Sequence, residues 1–248
     1  MRRITLSLTI LMLCALLATT AWAITYGQPD GQRHPHVGAL VGQFSSGQFP
    51  YCSGTLISPT VFLTAAHCDI GTSTVFVTFD TEYSSRSKLH SGTFFADPQF
   101  NWKQDDPHDI AVVVFDRPVK GITPARLPAA GSLDNLPHDQ AFTVVGYGGQ
   151  EPVNQPGGPV IGFLDTREFS TATLNSINPA WLRLSQNPAT GDSGACYGDS
   201  GGPNFLGTTN IVAATTITGD ALCKATNVVY RTDTESARNF LRNFVALP

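Results

Sequence analysis

The sequence predicts an all-β protein, and three features carry that expectation. Short apolar runs recur along the chain between Gly, Pro and Asn punctuation. Helical spacing of apolar residues is absent until the C-terminus. Charged residues are only 14% of the chain, beside 23 Gly and 17 Pro, which suits a turn-rich, compact protein.

The runs that read as strands are Val37-Leu40, Gly54-Ile57, Val75-Phe79, Ile110-Phe115, Phe142-Val145, Trp181-Leu184, Ile211-Thr216 and Val228-Arg231. Residues 118–140 are rich in Pro and Gly and poor in strand signal, so they read as a linker between two halves. The halves are an N-terminal unit over about 35–117 and a C-terminal unit over about 141–231. Residues 148–158 carry Gly, Gln, Glu, Asn and two prolines and read as a surface loop. Thr232 and Glu235 make a capping-box pattern, and Phe240, Leu241, Phe244 and Val245 follow at helical spacing. These predict a C-terminal helix over about 233–246.

The first 23 residues read as an export signal. Arg2 and Arg3 precede a mostly apolar stretch from Ile4 to Thr20, and Ala21-Trp22-Ala23 has the small-x-small cleavage pattern. Cutting after Ala23 leaves 225 of the 248 residues, enough for one large all-β unit or two small coupled barrels. Removing Arg2 and Arg3 from 15 basic residues leaves 13 against 19 acidic, a formal charge of −6. With no run of Lys or Arg, nucleic acid and anionic membranes are not expected partners, nor is any membrane once the signal is gone. The expected location is extracellular, or periplasmic in a bacterium.

Cys14 leaves with the signal. Cys52, Cys68, Cys196 and Cys223 remain, an even number in an oxidising compartment. No Cys-x-x-Cys pair exists, so they read as disulfide partners and not zinc ligands. Spacing alone leaves three pairings open. Asp69, Asp80 and Glu82 lie after Cys68, but their spacing is unlike a calcium loop, and they read as an ordinary exposed hairpin. His34, His36, His90 and His138 lack metal-ligand spacing and read as surface residues, with His108 an exposed neighbour of Asp109. No metal and no cofactor are expected.

The most chemically loaded segment is Cys196-Tyr197-Gly198-Asp199-Ser200-Gly201-Gly202-Pro203. Small neighbours let a carbonyl approach the Ser200 hydroxyl, and let the N–H groups of Gly198 and Ser200 converge where an oxyanion would form. A serine hydroxyl is a weak nucleophile and needs a base, and the base needs an orienting group. Thr64-Ala65-Ala66-His67-Cys68 supplies a histidine, and His108-Asp109-Ile110-Ala111 supplies an acid ahead of an apolar strand.

The order His67, Asp109, Ser200 with these flanks resembles the chymotrypsin/trypsin-like serine proteases, from Ile24 to the final helix. The resemblance implies two six-stranded antiparallel β-barrels with a C-terminal α-helix. It implies a secreted, monomeric serine endopeptidase that acts on proteins or peptides and is open to proteinaceous inhibitors. Ser200 would attack, His67 would serve as base, Asp109 would orient it, and Gly198 and Ser200 would form the oxyanion hole. It also implies the pairings Cys52–Cys68 and Cys196–Cys223, and an ion pair between a freed Ile24 amine and Asp199. Family members usually expose that amine by cutting a propeptide. Here Ile24-Thr25-Tyr26-Gly27 directly follows the signal site, so signal cleavage itself is expected to create it.

Gap-free counting from the serine motif places Gly194 where trypsins carry a pocket-base aspartate, with Ala195 next. Ala213, Thr215 and Val228 are the expected walls. Bulk at Thr215 and Val228 predicts small or medium apolar side chains before the cut bond. The absence of the family's pocket tryptophan leaves a second function open, a catalytically silent binding protein on the same fold. An α/β-hydrolase esterase is disfavoured, because its Ser–Asp–His order is absent.

Overall fold

The computed structural model describes residues 24–248; the expected signal, 1–23, lies outside the described residues. A short strand, β1 (Gln28–Pro29), precedes two barrels. The first contains β2 (Val37–Phe44), β3 (Gly47–Ser58), β4 (Val61–Thr64), β5 (Thr74–Thr78), β6 (His90–Ala96) and β7 (Ala111–Phe115). They close in the order β2-β3-β4-β7-β6-β5. The interior is filled by Leu40, Leu56, Phe62, Leu63, Val77 and Val112, none of them exposed. Closure leaves this unit no free sheet edge, and burying each such side chain contributes about 1.5–3 kcal/mol.

The second half contains β8 (Ala141–Gly146), the small hairpin β9 (Val153–Gln155) and β10 (Gly158–Val160), then β11 (Glu168–Ile177) and β12 (Trp181–Ser185). It continues with β13 (Pro203–Leu206), β14 (Val212–Gly219) and β15 (Thr226–Arg231). The ring runs β8-β11-β12-β15-β14-β13 and closes because β13 and β11 both pair with β8. β1 lies on β11, with Gln28 opposite Phe169. The fold is therefore two closed six-stranded antiparallel barrels with one C-terminal helix. Among the described residues, no helix is long and apolar enough to cross a membrane.

All eight sequence-predicted runs overlap strands, three of them overrunning by one residue, but the segment over 148–158 contains β9 and the start of β10 in place of a plain loop. The helix is shorter than expected: α1 spans Glu235–Leu241. Thr234, not Thr232, caps it by accepting from the Ala237 N–H. Thr232 is engaged elsewhere, its hydroxyl donating to the carbonyls of Val212 and Ala213. Between β7 and β8, residues 118–140 run without a strand and still bury Val119, Ala125 and Leu133.

A fully buried arginine joins the halves. Arg167, just ahead of β11, donates to Asp30 Oδ2 at 2.8 Å, to the carbonyls of Val37 and Phe79 on the first-barrel side, and to Gly31 O. Breaking a buried pair of this kind costs about 3–5 kcal/mol. His34 caps the same cluster through Asp30 Oδ1. His36, expected at the surface, is buried, and its Nε2 has no partner. Burial, then the charges of His34 and Arg167, push its pKa down to about 4, so it is neutral here at ordinary pH.

Candidate active site

Two adjacent strand ends bring His67 and Asp109 together. Thr64 at the end of β4 pairs with Ala111 at the start of β7. His67 follows in a tight turn over Ala66–Cys68, and Asp109 directly precedes β7. Asp109 is fully buried. Its Oδ1 accepts the His67 backbone N–H at 2.9 Å, and its Oδ2 lies 2.7 Å from His67 Nδ1. One carboxylate thus fixes both the turn and the ring, and leaves Nε2 as the imidazole's available nitrogen. Trp102 stands beside the ring, with centroids 5.7 Å apart. His108 is not the exposed neighbour expected, since its Nδ1 meets Asp97 Oδ2 at 3.2 Å and its side chain is mostly buried.

The turn is stapled by the disulfide Cys52–Cys68, which spans 16 residues. Closing a loop of that length is worth about 3 kcal/mol in the chain-entropy account. A second disulfide, Cys196–Cys223, ties the serine loop to the segment after β14.

Ser200 lies in the loop between β12 and β13. The Ser53 N–H donates to its carbonyl at 2.8 Å, which anchors the serine loop of the second barrel on β3 of the first. Gly198 has φ +95° and Gly201 φ +77°, both in the left-handed region, so a side chain at either would strain the loop. Among the described residues, neither the Gly198 nor the Ser200 N–H has an acceptor. Both residues line, with His67, a cavity of about 600 Å³ bounded by Phe49, Tyr51, Phe163 and Tyr197.

The loop's shape depends on contacts that motif reading missed. The Ser53 hydroxyl donates to the Gly198 carbonyl at 3.0 Å and accepts the Tyr147 N–H at 3.0 Å. Asp199 is fully buried, and its carboxylate accepts from Gly148 N–H and Cys196 N–H, each at 2.8 Å. Burial pushes its pKa up to about 7; the two N–H groups oppose the rise, and the nearby Glu168 adds to it.

The expected Ile24–Asp199 contact is not the one present. The Ile24 N–H donates to Glu168 Oε2 at 3.0 Å. With residues 1–23 retained ahead of it, the Ile24 nitrogen is a peptide N–H and not the freed ammonium that the expected pair requires. Ile24 is nonetheless fully buried, and Thr25 forms a bridge to Gly194. No sequence pattern marked Glu168; only its pairing opposite Gly146 across β11 and β8 brings it here.

The expected specificity walls also change. A cavity of about 270 Å³ beside Ser200 is lined by Ala195, Thr216, Ile217, Gly219 and Asn227 among others. Of the five expected residues, only Ala195 lines it. Gly194 instead abuts Gln186, Ala213 and Thr215 are buried in the barrel, and Val228 packs on the core. The C-terminal part of β14, from Thr216 through Gly219, borders the cavity as a continuous run around the register shift between Thr216 and Thr218, one residue beyond the expected Thr215.

Comparison with known proteins bears on the family and the fold. The Trypsin family profile matches residues 27–240. A trypsin from Phaedon cochleariae is 28% identical over 182 residues, covering 63% of this chain and 64% of that protein. A trypsin from Saccharopolyspora erythraea is 28% identical, covering 69% and 76%. A chymotrypsin from Phaedon cochleariae is 27% identical, covering 77% and 71%. The chain thus spans just under two thirds of the first of these relatives and somewhat more of the others. Among solved structures, HL collagenase superposes with a TM-score of 0.70 at 20% identity, covering 89% of this chain and 98% of that one. HBP superposes at 0.67 with 17% identity, covering 91% and 98%. At those identities the two structures speak to the fold alone.

Proposed function

Because the chain belongs to the trypsin family, we propose that it is a serine endopeptidase whose nucleophile is Ser200. The observation that carries this reading is the 2.7 Å pairing of His67 with a fully buried Asp109, on the wall of the cavity that also holds Ser200. Ser200 Oγ attacks the peptide carbonyl carbon while its proton passes to His67 Nε2. Asp109 holds the imidazole and stabilises the imidazolium. The negative oxygen of the tetrahedral intermediate is held by the N–H groups of Gly198 and Ser200. Losing one such donor costs about 2.7–4 kcal/mol of transition-state stabilisation. Collapse breaks the C–N bond, and His67 returns the proton to the departing amine. Water then attacks the acyl-enzyme with His67 again as base. His67 makes hydrogen bonds only to Asp109 among the described residues, and catalytic contacts to a serine commonly tighten only when substrate arrives.

The protein is secreted, monomeric, and matured by cleavage before Ile24. Its substrates are proteins or peptides, and protein inhibitors would block the same cleft. Small or medium side chains before the cut bond fit the cavity beside Ser200. The apolar character expected there loses its basis, since Thr215 and Val228 do not line it. On maturation the freed Ile24 ammonium would pair with Asp199, as the resemblance implies, beside Glu168, whose charge already bears on Asp199.

The test is intact mass of the secreted protein before and after a fluorophosphonate, with Ser200→Ala as control. A mass starting at Ile24, two disulfides and a single adduct absent from the control are the expected result. An unreactive form starting at Ile24 would overturn the peptidase reading in favour of a binding protein on this fold. A longer, unreactive form would overturn maturation by signal cleavage.

A further inference from the structure

The cavity beside Ser200 has an apolar wall and a polar floor, and the floor is unfinished. Asn227 lines it and is only 1% exposed. Its Nδ2 donates to Asn204 Oδ1 at 3.1 Å, and Asn204 Nδ2 donates to Thr216 Oγ1 at 3.0 Å. Asn204 is fully buried, and Thr216 also lines the cavity. The relay fixes the amides as a set, because turning one forces the other to turn. In the arrangement present, Asn227 Oδ1 is buried with no partner.

A buried acceptor without a donor is costly, and native proteins rarely tolerate one without a use for it. Asn227 lines the cavity, whereas its neighbour on β15, Val228, packs on the core. Asp220 also lines the cavity, but its carboxylate is engaged by the N–H groups of Lys224, Ala225 and Thr226 and by Gln186 Nε2. The unmet demand is therefore for one neutral hydrogen-bond partner, a donor in the arrangement present and an acceptor if both amides turn, beside a cavity sized for a medium side chain; a carboxamide offers both.

We propose that Asn227 is the specificity-determining residue of this site, and that it selects a carboxamide side chain, glutamine or asparagine, before the cut bond. This rests on the peptidase reading above. The side-chain N–H₂ would complete the Asn227 acceptor. An apolar tip would leave it stranded, and sites built around a buried polar partner reject analogues that lack the matching group.

The test is kcat/KM of the mature protein on fluorogenic peptides differing only at that residue, with Gln, Asn, Met, Leu and Lys. Met matches Gln in length but carries no donor. Gln should exceed Met by about tenfold or more. Asn227→Leu should erase that ratio while fluorophosphonate labelling of Ser200 persists. Asn227→Asp, which keeps the shape and adds a charge, should move the preference toward Lys. If the Leu variant does not fold, the wild-type Gln-to-Met ratio and the Asp variant still decide. Met or Leu equal to Gln in a protein that labels would overturn the proposal. Lys as the best wild-type substrate would also overturn it and would point to Asp220 as the selecting group. A protein that neither labels nor cleaves any peptide would sink the peptidase reading, and this selectivity with it.

Discussion

The two barrels contribute to the site in different ways. The first supplies His67 and Asp109 from paired strand ends, and a single buried carboxylate fixes them both. The second supplies Ser200, the Asp199 loop and the side-chain cavity from long connections. Backbone N–H groups, left-handed glycines and a borrowed hydroxyl from the first barrel hold these in shape. The first half is built into the strands, whereas the second must be assembled upon them. Substitution should therefore act on the first half as local chemistry and on the second as loss of loop order.

The largest separation of the two should come from Asp109→Asn. The imidazole would lose its orienting charge and take the wrong tautomer, with the barrel intact. A fall in kcat of about 10⁴ is expected, with little change in the thermal midpoint. A large drop in the midpoint would mean that Asp109 serves chiefly to hold the turn. On the other side, Gly148→Ala would drive a Cβ into the Asp199 carboxylate. That should cost about 10²–10³ in kcat through the oxyanion loop. Near-wild-type turnover would show that the loop accommodates the methyl and is less tightly set than described.

A smaller effect belongs to Ser53, which joins the two modes. Its hydroxyl sits between Gly198 O and Tyr147 N–H. Ser53→Ala leaves both without that partner, at about 1–3 kcal/mol if neither re-pairs. Because the Gly198 peptide is the one disturbed, kcat should fall about tenfold with KM nearly unchanged. A rise in KM alone would assign Ser53 to substrate binding. Unchanged kinetics with lower stability would leave it structural.

The same division explains what could be read from sequence. The residues expected for chemistry stand in short contiguous motifs, and the strand pairing places them where local pattern suggests. The disulfide partners came from the resemblance, not from spacing. Glu168, Ser53 and Asn227 carry no local signal, because each acts across a barrel or a register shift. Asn227 was missed by one position, the error that period-2 geometry punishes most. His36 reads as a surface residue, and nothing in the sequence singles out Arg167, because burial between the barrels is a tertiary fact. β4, β6, β11 and β13 were not anticipated. β13 begins with Pro-Asn and β11 is rich in Ser and Thr, so apolar runs alone do not mark them.

The last effect, one of stability and not of rate, concerns how the second barrel's loop is completed. With Ile24 nitrogen held as a peptide N–H, Asp199 has a pKa raised to about 7 by burial, against its N–H partners and with a contribution from Glu168. An acid whose folded pKa exceeds its unfolded value of 3.8 carries no penalty at lower pH. The folded state then loses stability as pH rises from there through about 7, by on the order of 4 kcal/mol if nothing compensates. An Ile24 ammonium beside Glu168 would add a positive charge near Asp199, so this loss should shrink in the matured chain. Two Ser200→Ala proteins, one beginning at Ile24 and one with residues retained ahead of it, would be melted at pH 4.5 and pH 7.5. The midpoints should nearly coincide at the lower pH and differ by several degrees at the higher, the matured form being the more stable. An equal gap at both values would mean that the amine does not neutralise the Glu168–Asp199 pair, and that this loop is ordered by its glycines and N–H groups alone.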